Sequence, residues 1–190
     1  DGVNDAPSIK AADIGVGMGI TGTDVTKSVA DMVLADDNFA TIVNAVEEGR
    51  KINDNVRKVL QFQISSNMTE VLVVFISSIF ALEVLSPTHL LWINMVTDSL
   101  PGLALGMEKA EEGVLKRKPR PSNESVFSNG AGLDIVLQGI YMSTIILTSF
   151  FIGYKMDGHL NGMTMAFLTI NLPELFHAIS MRTQRGSLIK

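Results

Sequence analysis

Five polar side chains, two of them acidic, lie within stretches that are otherwise apolar and long enough to cross a membrane. Asn67 and Glu70 belong to one stretch, and Asn94, Thr97 and Asp98 belong to the next. A carboxylate inside hydrocarbon is costly unless it is paired or holds a cation, so acids in such segments mark ion pathways. Glu70 and Asp98 therefore point to a transported cation.

The spacing of these residues places them on common helix faces. Positions three and four apart lie on the same side of a helix, so Asn67 aligns with Glu70. Asn94 aligns with Thr97 and Asp98 in the same way. The alternative is that the polar groups only form hydrogen bonds between packed helices. For each of the three neutral residues, this alternative and an ion-binding role are equally supported. It is weakest for the two carboxylates, because burying a charge costs more.

Pro101 follows Thr97 by four residues and changes the bonding of that helix. Because proline has no N–H, the main-chain carbonyl of Thr97 loses its helical partner. Gly102 is expected to let the chain unwind here, and unwound backbone in a membrane survives only where it is buried or lines a cavity. The result is a free carbonyl beside carboxylate, amide and hydroxyl oxygens, an all-oxygen set that suits a hard cation such as Ca2+.

Hydropathy predicts a protein that is partly soluble and partly embedded in a membrane. The 190 residues are 46% hydrophobic, and the mean hydropathy is positive. Four apolar stretches are each near the roughly 20 residues that a bilayer requires. They cover about 59–82, 89–107, 131–154 and 162–181.

Positive charges are distributed unevenly among the connections between these stretches. They precede the first span, fill the connector between the second and third, and follow the fourth, whereas the two opposite connections hold only Lys155. The positive-inside rule therefore predicts a multi-pass integral membrane protein with both ends of the chain in the cytoplasm. The basic residues concerned are Arg50, Lys51, Arg57, Lys58, Lys109, Lys116, Arg117, Lys118, Arg120, Arg182, Arg185 and Lys190.

Composition and charge limit the partners that can be expected. The net charge is −5 and the acids are scattered, so nucleic acid is not expected as a partner. The apolar stretches make membrane lipid an expected partner. The sequence holds no cysteine, which excludes disulfides and thiolate metal sites within it. The chain opens on polar turn residues rather than a secretory signal, and we expect it to be a piece of a longer protein.

The first 47 residues read as an α/β segment. Residues 14–18 alternate like a strand, residues 24–30 have a helical pattern, and residues 32–35 are apolar again, which predicts a β-α-β unit. A helix should follow, and we expect it to continue as a stalk over 48–58 into the first span. The alternative is a separate surface helix that ends near Gly49.

Two motifs in this segment could bind phosphate groups. The opening DGVNDAP sets Asp1 and Asp5 around a glycine turn, where they could hold Mg2+ beside a phosphoryl group, although acidic turn residues are more often only solvated. The sequence GMGITG at 17–22 matches a dinucleotide-binding turn, because it follows a strand and precedes a helix. We disfavour that second interpretation, since short glycine-rich turns of this kind are common.

The motifs, taken in order, resemble those of P-type cation-transporting ATPases. DGVNDAP at 1–7, MVLADDN at 32–38 and EEGR at 47–50 resemble the soluble part of these pumps. ISSNMTE at 64–70 and LWINMVTDSLP at 91–101 resemble the fifth and sixth transmembrane helices of calcium pumps of the sarco/endoplasmic reticulum type. The similarity is continuous to about Met107 and weakens after it.

The resemblance implies a mixed fold, in which an α/β haloacid-dehalogenase-like partial domain precedes an α-helical transmembrane bundle. Residues 1–47 would be the carboxyl-terminal part of the phosphorylation domain and 48–58 the stalk. Residues 59–190 would form transmembrane helices five to eight, with a cytoplasmic loop at 108–130.

The resemblance also implies an activity for the intact protein. Such a pump exports Ca2+ from the cytoplasm through an aspartyl-phosphate formed from ATP, with protons returning. The phosphorylated aspartate belongs to a DKTGT motif, which this sequence does not contain. The missing remainder of the same pump is therefore an expected partner, and this chain alone should be inactive.

Individual residues receive roles by the same resemblance. Asp1 would bind catalytic Mg2+, and Asn4 and Asp5 would complete the phosphate site. The acidic position that calcium pumps use in their eighth helix aligns near Ser180, which would leave one site without a carboxylate and favour one ion per cycle. The expected ligands of the transported Ca2+ are Asn67, Glu70, Asn94, Thr97 and Asp98.

Glu174 lies in the fourth span, after Pro173 and three residues before His177. It could complete the ion site or take part in proton countertransport. A buried hydrogen bond with His177 is the simpler interpretation. For the whole chain, two other interpretations remain: a non-catalytic membrane cation-binding module or channel, and a P-type pump for another cation such as Na+ or Mn2+.

Overall fold

The computed structural model describes residues 1–121, 124–125, 127–128 and 130–183. The chain divides into two compact units, Asp1–Arg50 and Lys51–Lys190. Arg185 and Lys190, two of the charges that orient the chain, lie outside the described residues.

The first unit contains the predicted β-α-β arrangement. Strands β1 (Val16–Met18) and β2 (Met32–Leu34) pair in parallel, and helix α2 (Asp24–Val29) connects them. A 3-10 turn (Val3–Asp5) and helix α1 (Ala6–Ala11) precede the strands. The sheet has two strands, and no larger α/β domain is evident among the residues that the structure describes.

The glycine-rich turn after β1 is held by an acidic side chain. The Asp37 carboxylate accepts the main-chain N–H groups of Ile20, at 2.8 Å, and of Thr21, at 2.7 Å. These hydrogen bonds lower the pKa of Asp37 to about 2, and the bond from the N–H of Ile20 has the largest effect on it. A Cβ on Gly22 would lie 2.0 Å from the carbonyl oxygen of Met18, so only glycine fits there. Because Asp37 occupies the amides that a pyrophosphate would need, this geometry argues against the dinucleotide interpretation.

Helix α3 extends from Thr41 to Ile79. Gly49 lies within it, so no helix end occurs there. Among the described residues, it is one of two helices that are long and apolar enough to cross a membrane, and the other is helix α6, Ala131–Met181. The described residues therefore supply membrane-length helices on both sides of the segment that carries Asn94 and Asp98.

The helical segment between α3 and α6 contains a wide turn. Helix α4 (Pro87–Trp92) leads into a π-helix (Ile93–Asp98), and helix α5 (Ser99–Gly106) follows. The expectation that the chain unwinds at Gly102 was wrong, since Pro101 and Gly102 both lie inside α5. Pro101 is the third residue of α5, which follows the π-helix without a break, and proline is tolerated in the first turn of a helix. The departure from α-helical geometry comes earlier, in the π-helix.

Helix α6 consists of two helical halves joined at a kink. Asp157 and Gly158 have non-helical backbone angles, and Gly158 has a φ of 80°, which glycine adopts without strain. The halves pack closely beyond the kink, because a Cβ on Gly162 would lie 2.9 Å from the carbonyl oxygen of Phe150. The predicted spans at 131–154 and 162–181 lie on either side of this kink.

An apolar core joins the helices of the second unit. Many other large apolar side chains of this unit are exposed, including Phe75, Leu103 and Leu160. Helices that face lipid are expected to expose such side chains. The main buried cluster comprises Val73, Val84, Leu85, Ile93, Ile146, Phe150, Ala166 and Ile170.

The connector between α5 and α6 is attached to α3 by a buried cation. Lys58 has a side chain that is only 1% exposed, and its ammonium group lies 2.9 Å from the Glu111 carboxylate. The same group donates to the main-chain carbonyl of Arg182 at 2.7 Å. A 3-10 turn (Val114–Lys116) is the one helical turn among the described residues of the connector. Lys58 therefore joins α3, the connector and the end of α6.

Candidate cation-binding site

Polar side chains from three helical elements meet inside the second unit. Several are almost inaccessible to solvent, and Asp98 is 0% exposed while Glu174 is 1% exposed. Hydrogen bonds connect these side chains in small groups across the helices. The members are Gln63, Ser66 and Glu70 of α3, Asn94, Thr97 and Asp98 of the π-helix, and Asn171 and Glu174 of the second half of α6.

Glu70 and Asn94 form the first group. The Asn94 amide nitrogen donates to the two carboxylate oxygens of Glu70, at 3.1 and 3.0 Å. It also donates to the main-chain carbonyl of Leu90 at 2.9 Å. In this orientation the amide nitrogen faces the carboxylate, so the amide oxygen is the atom of Asn94 that could bind a cation.

Asp98 and Glu174 share a hydroxyl group. Ser66 Oγ lies 2.8 Å from a carboxylate oxygen of Asp98 and 2.7 Å from one of Glu174. Gln63 donates to the other oxygen of Asp98 at 3.3 Å. Since a serine hydroxyl has one hydrogen, both short contacts can be hydrogen bonds only if one carboxyl group supplies a second hydrogen. The geometry therefore fits one proton on the Asp98 and Glu174 pair.

The π-helix brings the middle group of residues to the centre of the cluster. Its wide turn is stabilised by the Ser99 hydroxyl, which donates to the carbonyl of Asn94 at 2.7 Å. Pro101 cannot donate to the carbonyls before it, which removes a bond that would otherwise favour regular α-helix. π-Helical turns occur frequently at functional sites.

Thr97 contacts the opposite helix. Its hydroxyl donates to the amide oxygen of Asn171 at 2.6 Å, and the amide nitrogen of Asn171 donates to the carbonyl of Phe167 at 2.5 Å. The sequence interpretation did not select Asn171, and it also omitted Gln63 and Ser66. Spacing could have indicated them, because Gln63 and Ser66 precede Glu70 by seven and four residues, and Asn171 precedes Glu174 by three.

Asn67 does not join the cluster. It is exposed, and no hydrogen bond connects it to Glu70, Asn94 or Asp98 within the described part of the chain. Of the five predicted Ca2+ ligands, the structure therefore brings four into the cluster.

Two expectations about the last helix were wrong. Ser180 is exposed and donates to the carbonyl of its own helix at His177, at 2.7 Å. Glu174, and not a residue near Ser180, is the acidic group that this helix contributes to the cluster. Glu174 bonds to Ser66 rather than to His177, and neither Glu174 Oε2 nor His177 Nε2 has a hydrogen-bond partner among the described residues.

A cavity of about 390 Å³ lies beside Glu174. His177 also faces it, and its ring packs against Phe62 with ring centres 5.7 Å apart. The walls come from α3 and from both halves of α6, and they are mostly apolar.

The opening motif is arranged around Asp5. One Asp5 carboxylate oxygen accepts from the main-chain nitrogens of Asp1 and Gly2, each at 2.9 Å. The carbonyl of Asp1 accepts from the N–H of Thr23 at 3.1 Å, which ties the motif to the beginning of α2. The Asp1 side chain is 71% exposed, and Asn4 is also exposed. Carboxylate and amide oxygens that are open to solvent have the chemistry that Mg2+ requires.

The cluster in the second unit offers donors of mixed types. Among the described residues, no three His, Asp or Glu side chains come together as a metal centre. The cluster in the second unit thus combines carboxylates with amide and hydroxyl oxygens, which are donors that Ca2+ accepts.

Comparisons with known proteins agree with the motif resemblance. A calcium-transporting ATPase of Bacillus subtilis is 46% identical over 187 residues, covering 97% of this chain and 21% of the relative. Calcium-transporting ATPase 2, endoplasmic reticulum-type, of Arabidopsis thaliana is 40% identical, covering 97% of this chain and 17% of the relative. Calcium-transporting ATPase 1 of Lactococcus lactis is 39% identical, covering 100% and 22%.

These matches extend past Met107, where the motif resemblance had weakened. The chain spans about a fifth of the length of the curated relatives that it matches. The family model described as cation transporting ATPase, C-terminus, matches residues 82–190. Because that match covers more than half of the chain, this chain belongs to the cation-transporting ATPase C-terminus family.

Proposed function

We propose that this chain is part of an ATP-driven P-type pump that moves Ca2+ out of the cytoplasm. The observation that carries the proposal is the cluster in which Glu70, Asp98 and Glu174 meet amide and hydroxyl groups inside membrane-length helices. Carboxylates buried in a membrane require a compensating partner, and Ca2+ takes six to eight oxygen ligands. The relatives that are named calcium-transporting ATPases support Ca2+ as the cargo.

The proposed ligands are Glu70, Asn94, Thr97 and Asp98, with Glu174 as an addition that the structure suggests. In this structure the Asn94 amide donates to the Glu70 carboxylate. Binding of Ca2+ would exchange this bond for metal contacts, with the carboxylate and amide oxygens directed at the ion. Glu174 would add a carboxylate from the last helix, which allows more than one ion per cycle.

Asn67 keeps its predicted role only under one condition. It lies on the exposed side of α3, one turn before Glu70. We infer that a segment of the intact pump outside this chain covers that side. Covering it would turn an exposed amide into a buried ligand.

The first unit would serve the phosphoryl chemistry. We infer that residues 1–47 are the carboxyl-terminal part of a haloacid-dehalogenase-like domain, in which Asp1 would hold Mg2+ and Asn4 and Asp5 would contact the phosphate. Mg2+ there would neutralise phosphate charge and orient the phosphoryl group. ATP would phosphorylate an aspartate outside this chain, so the isolated chain should not hydrolyse ATP.

The arrangement in the membrane is also a proposal. Four crossings with both ends in the cytoplasm agree with the positive charges of the connections. Membrane lipid and the remainder of the pump are the proposed partners, and no nucleic acid is expected. Proton return is supported by the hydroxyl that Asp98 and Glu174 share, because buried carboxyl groups that lose Ca2+ must take up protons.

The test uses the full-length pump reconstituted in lipid vesicles. Ca2+-stimulated phosphorylation by ATP should occur in the wild-type protein and should require much higher Ca2+ in Glu70→Gln and Asp98→Asn. Glu83→Gln, an exposed acid outside the cluster, is the matched control and should behave as wild type. Unchanged Ca2+ dependence in both cluster variants would remove the site assignment. Ion flux without ATP would favour a channel, and stimulation by Na+ or Mn2+ in place of Ca2+ would identify another cargo.

A further inference from the structure

Four threonine hydroxyls in the membrane-length helices share one pattern, and Thr97 of the π-helix bonds differently. The usual threonine donates to the carbonyl four residues earlier in its own helix, which is the common behaviour of threonine within helices. Thr97 instead donates across to Asn171 of another helix at 2.6 Å. The threonines that follow the usual pattern are Thr69, Thr144, Thr148 and Thr164.

The amide of Asn171 is fixed by two bonds. Its nitrogen donates to the carbonyl of Phe167, one turn earlier in the same helix, at 2.5 Å. Its oxygen therefore faces Thr97 and accepts the hydroxyl hydrogen. This arrangement makes Asn171 a directed acceptor, since turning the amide over would place its oxygen against the Phe167 carbonyl, two acceptors facing each other.

We propose that Asn171 is a positioning residue of the cation site. It holds the Thr97 hydroxyl between the helices, so that the Thr97 oxygen is available to Ca2+. The inference rests on the proposed function, because it assumes that Thr97 is a ligand. A hydroxyl has one hydrogen and two lone pairs. When the hydrogen is given to Asn171, both lone pairs of Thr97 Oγ remain for the ion.

Loss of Asn171 would release the hydroxyl to its own helix. Without the acceptor, Thr97 would take the usual bond to a carbonyl one turn earlier, and its oxygen would lie against the backbone instead of between the helices. Removal of a group that orients a metal ligand lowers metal affinity by about 10- to 100-fold. The effect should appear in Ca2+ affinity rather than in the chemistry of the phosphoryl group.

The experiment compares variants of the full-length pump. The Ca2+ concentration for half-maximal phosphorylation by ATP should rise on the order of 10-fold in Asn171→Leu. Asn171→Asp should restore the wild-type value to within about 3-fold, because a protonated carboxyl group can accept from Thr97 and donate to Phe167 as the amide does. Thr169→Val is the matched control, since it breaks a 2.7 Å hydroxyl pair with Ser149 between the halves of α6. It should leave Ca2+ affinity unchanged.

A double-mutant cycle separates positioning from a general structural effect. In a Thr97→Val background, Asn171→Leu should cause no further loss of Ca2+ affinity, because the hydroxyl that it holds is gone. Phosphorylation by inorganic phosphate without Ca2+ should stay at the wild-type level in every variant and shows that each is folded.

Several results would overturn the inference. These are an unchanged Ca2+ affinity in Asn171→Leu, an additive loss in the double variant, and a loss of phosphorylation by inorganic phosphate. An equal shift in the Thr169→Val control would do the same. If the wild-type pump forms no Ca2+-dependent phosphoenzyme, the proposed function fails, and the inference fails with it.

Discussion

Ser66 and Glu174 are 108 residues apart in the sequence, yet the serine hydroxyl lies 2.7 Å from a carboxylate oxygen of the glutamate. The same hydroxyl contacts Asp98 at 2.8 Å. One neutral side chain of α3 thus connects the carboxyl groups of two other helical elements. Removing this connection should have effects that a structural serine would not produce.

Ser66→Ala should weaken Ca2+ binding. The substitution leaves two buried carboxyl groups without their common partner, and loss of a hydrogen bond to a charged group costs about 1.5–3 kcal/mol. The Ca2+ concentration for half-maximal phosphorylation should therefore rise by about 10-fold or more. Ser65→Ala is the matched control, because Ser65 is equally buried at 3% exposure but donates to Gln61 in its own helix. Equal shifts in the two variants would contradict the role of Ser66.

Glu174 should tolerate an amide better than an apolar group. Glu174→Gln keeps an oxygen that can accept from Ser66, and it resembles the carboxyl group that carries the shared proton. Glu174→Leu removes the acceptor and leaves the Ser66 hydroxyl with Asp98 alone. We expect phosphorylation at saturating Ca2+ in the glutamine variant and a marked loss of Ca2+ affinity in the leucine variant. An equal loss in both would show that the negative charge of Glu174, and not its hydrogen bond, is required.

Lys58→Met should destabilise the second unit. The lysine is 1% exposed, and its removal leaves the Glu111 carboxylate and the Arg182 carbonyl without this partner. Breaking a buried ion pair from one side costs about 3–5 kcal/mol. The midpoint of thermal unfolding in detergent micelles should fall clearly, whereas Lys109→Met, at an exposed position of the connector, should change it little. A wild-type midpoint for Lys58→Met would mean that the buried pair adds nothing to stability.

The turn held by Asp37 should loosen in acid. The pKa of this carboxyl group is lowered to about 2, chiefly by the N–H of Ile20, whereas it is about 4 in an unfolded chain. Its stabilising contribution is therefore complete above about pH 4 and is lost as the pH falls through about 2. The protection of the Ile20 and Thr21 amides against hydrogen exchange, relative to an unstructured peptide at the same pH, should decrease over that range. Asp37→Ala should remove this pH dependence, and Asp13→Asn, an exposed control, should preserve it.

Much of the cluster could be predicted from the sequence because its acids are conspicuous. Glu70 and Asp98 stand out in apolar segments, and helical spacing links Asn94 and Thr97 to them. The short β-α-β unit was predicted for a similar reason, since its strands, helix and turns each have a local pattern. Such features depend on residues that are neighbours in the chain.

The remaining features depend on how one helix is rotated against another. Ser66, Gln63 and Asn171 are neutral and common in packed membrane helices, so nothing local distinguishes them from residues that only hold helices together. The π-helix could not be separated from an unwound segment, because Pro101 removes a hydrogen bond in both cases. Glu174 was paired with His177 because both lie on one helix, whereas its true partner, Ser66, is on another.

Gly162, beside the kink of α6, links a distant position to the proposed ion site. At Gly162 the two main chains are in direct contact, and even one added methyl group would meet the Phe150 carbonyl at 2.9 Å. Asn171 and Glu174 follow in the same helical half, so a Gly162→Ala substitution would act as a wedge and tilt both away from their partners. We therefore expect Gly162→Ala to lower Ca2+ affinity in a transport assay, although Gly162 supplies no ligand atom.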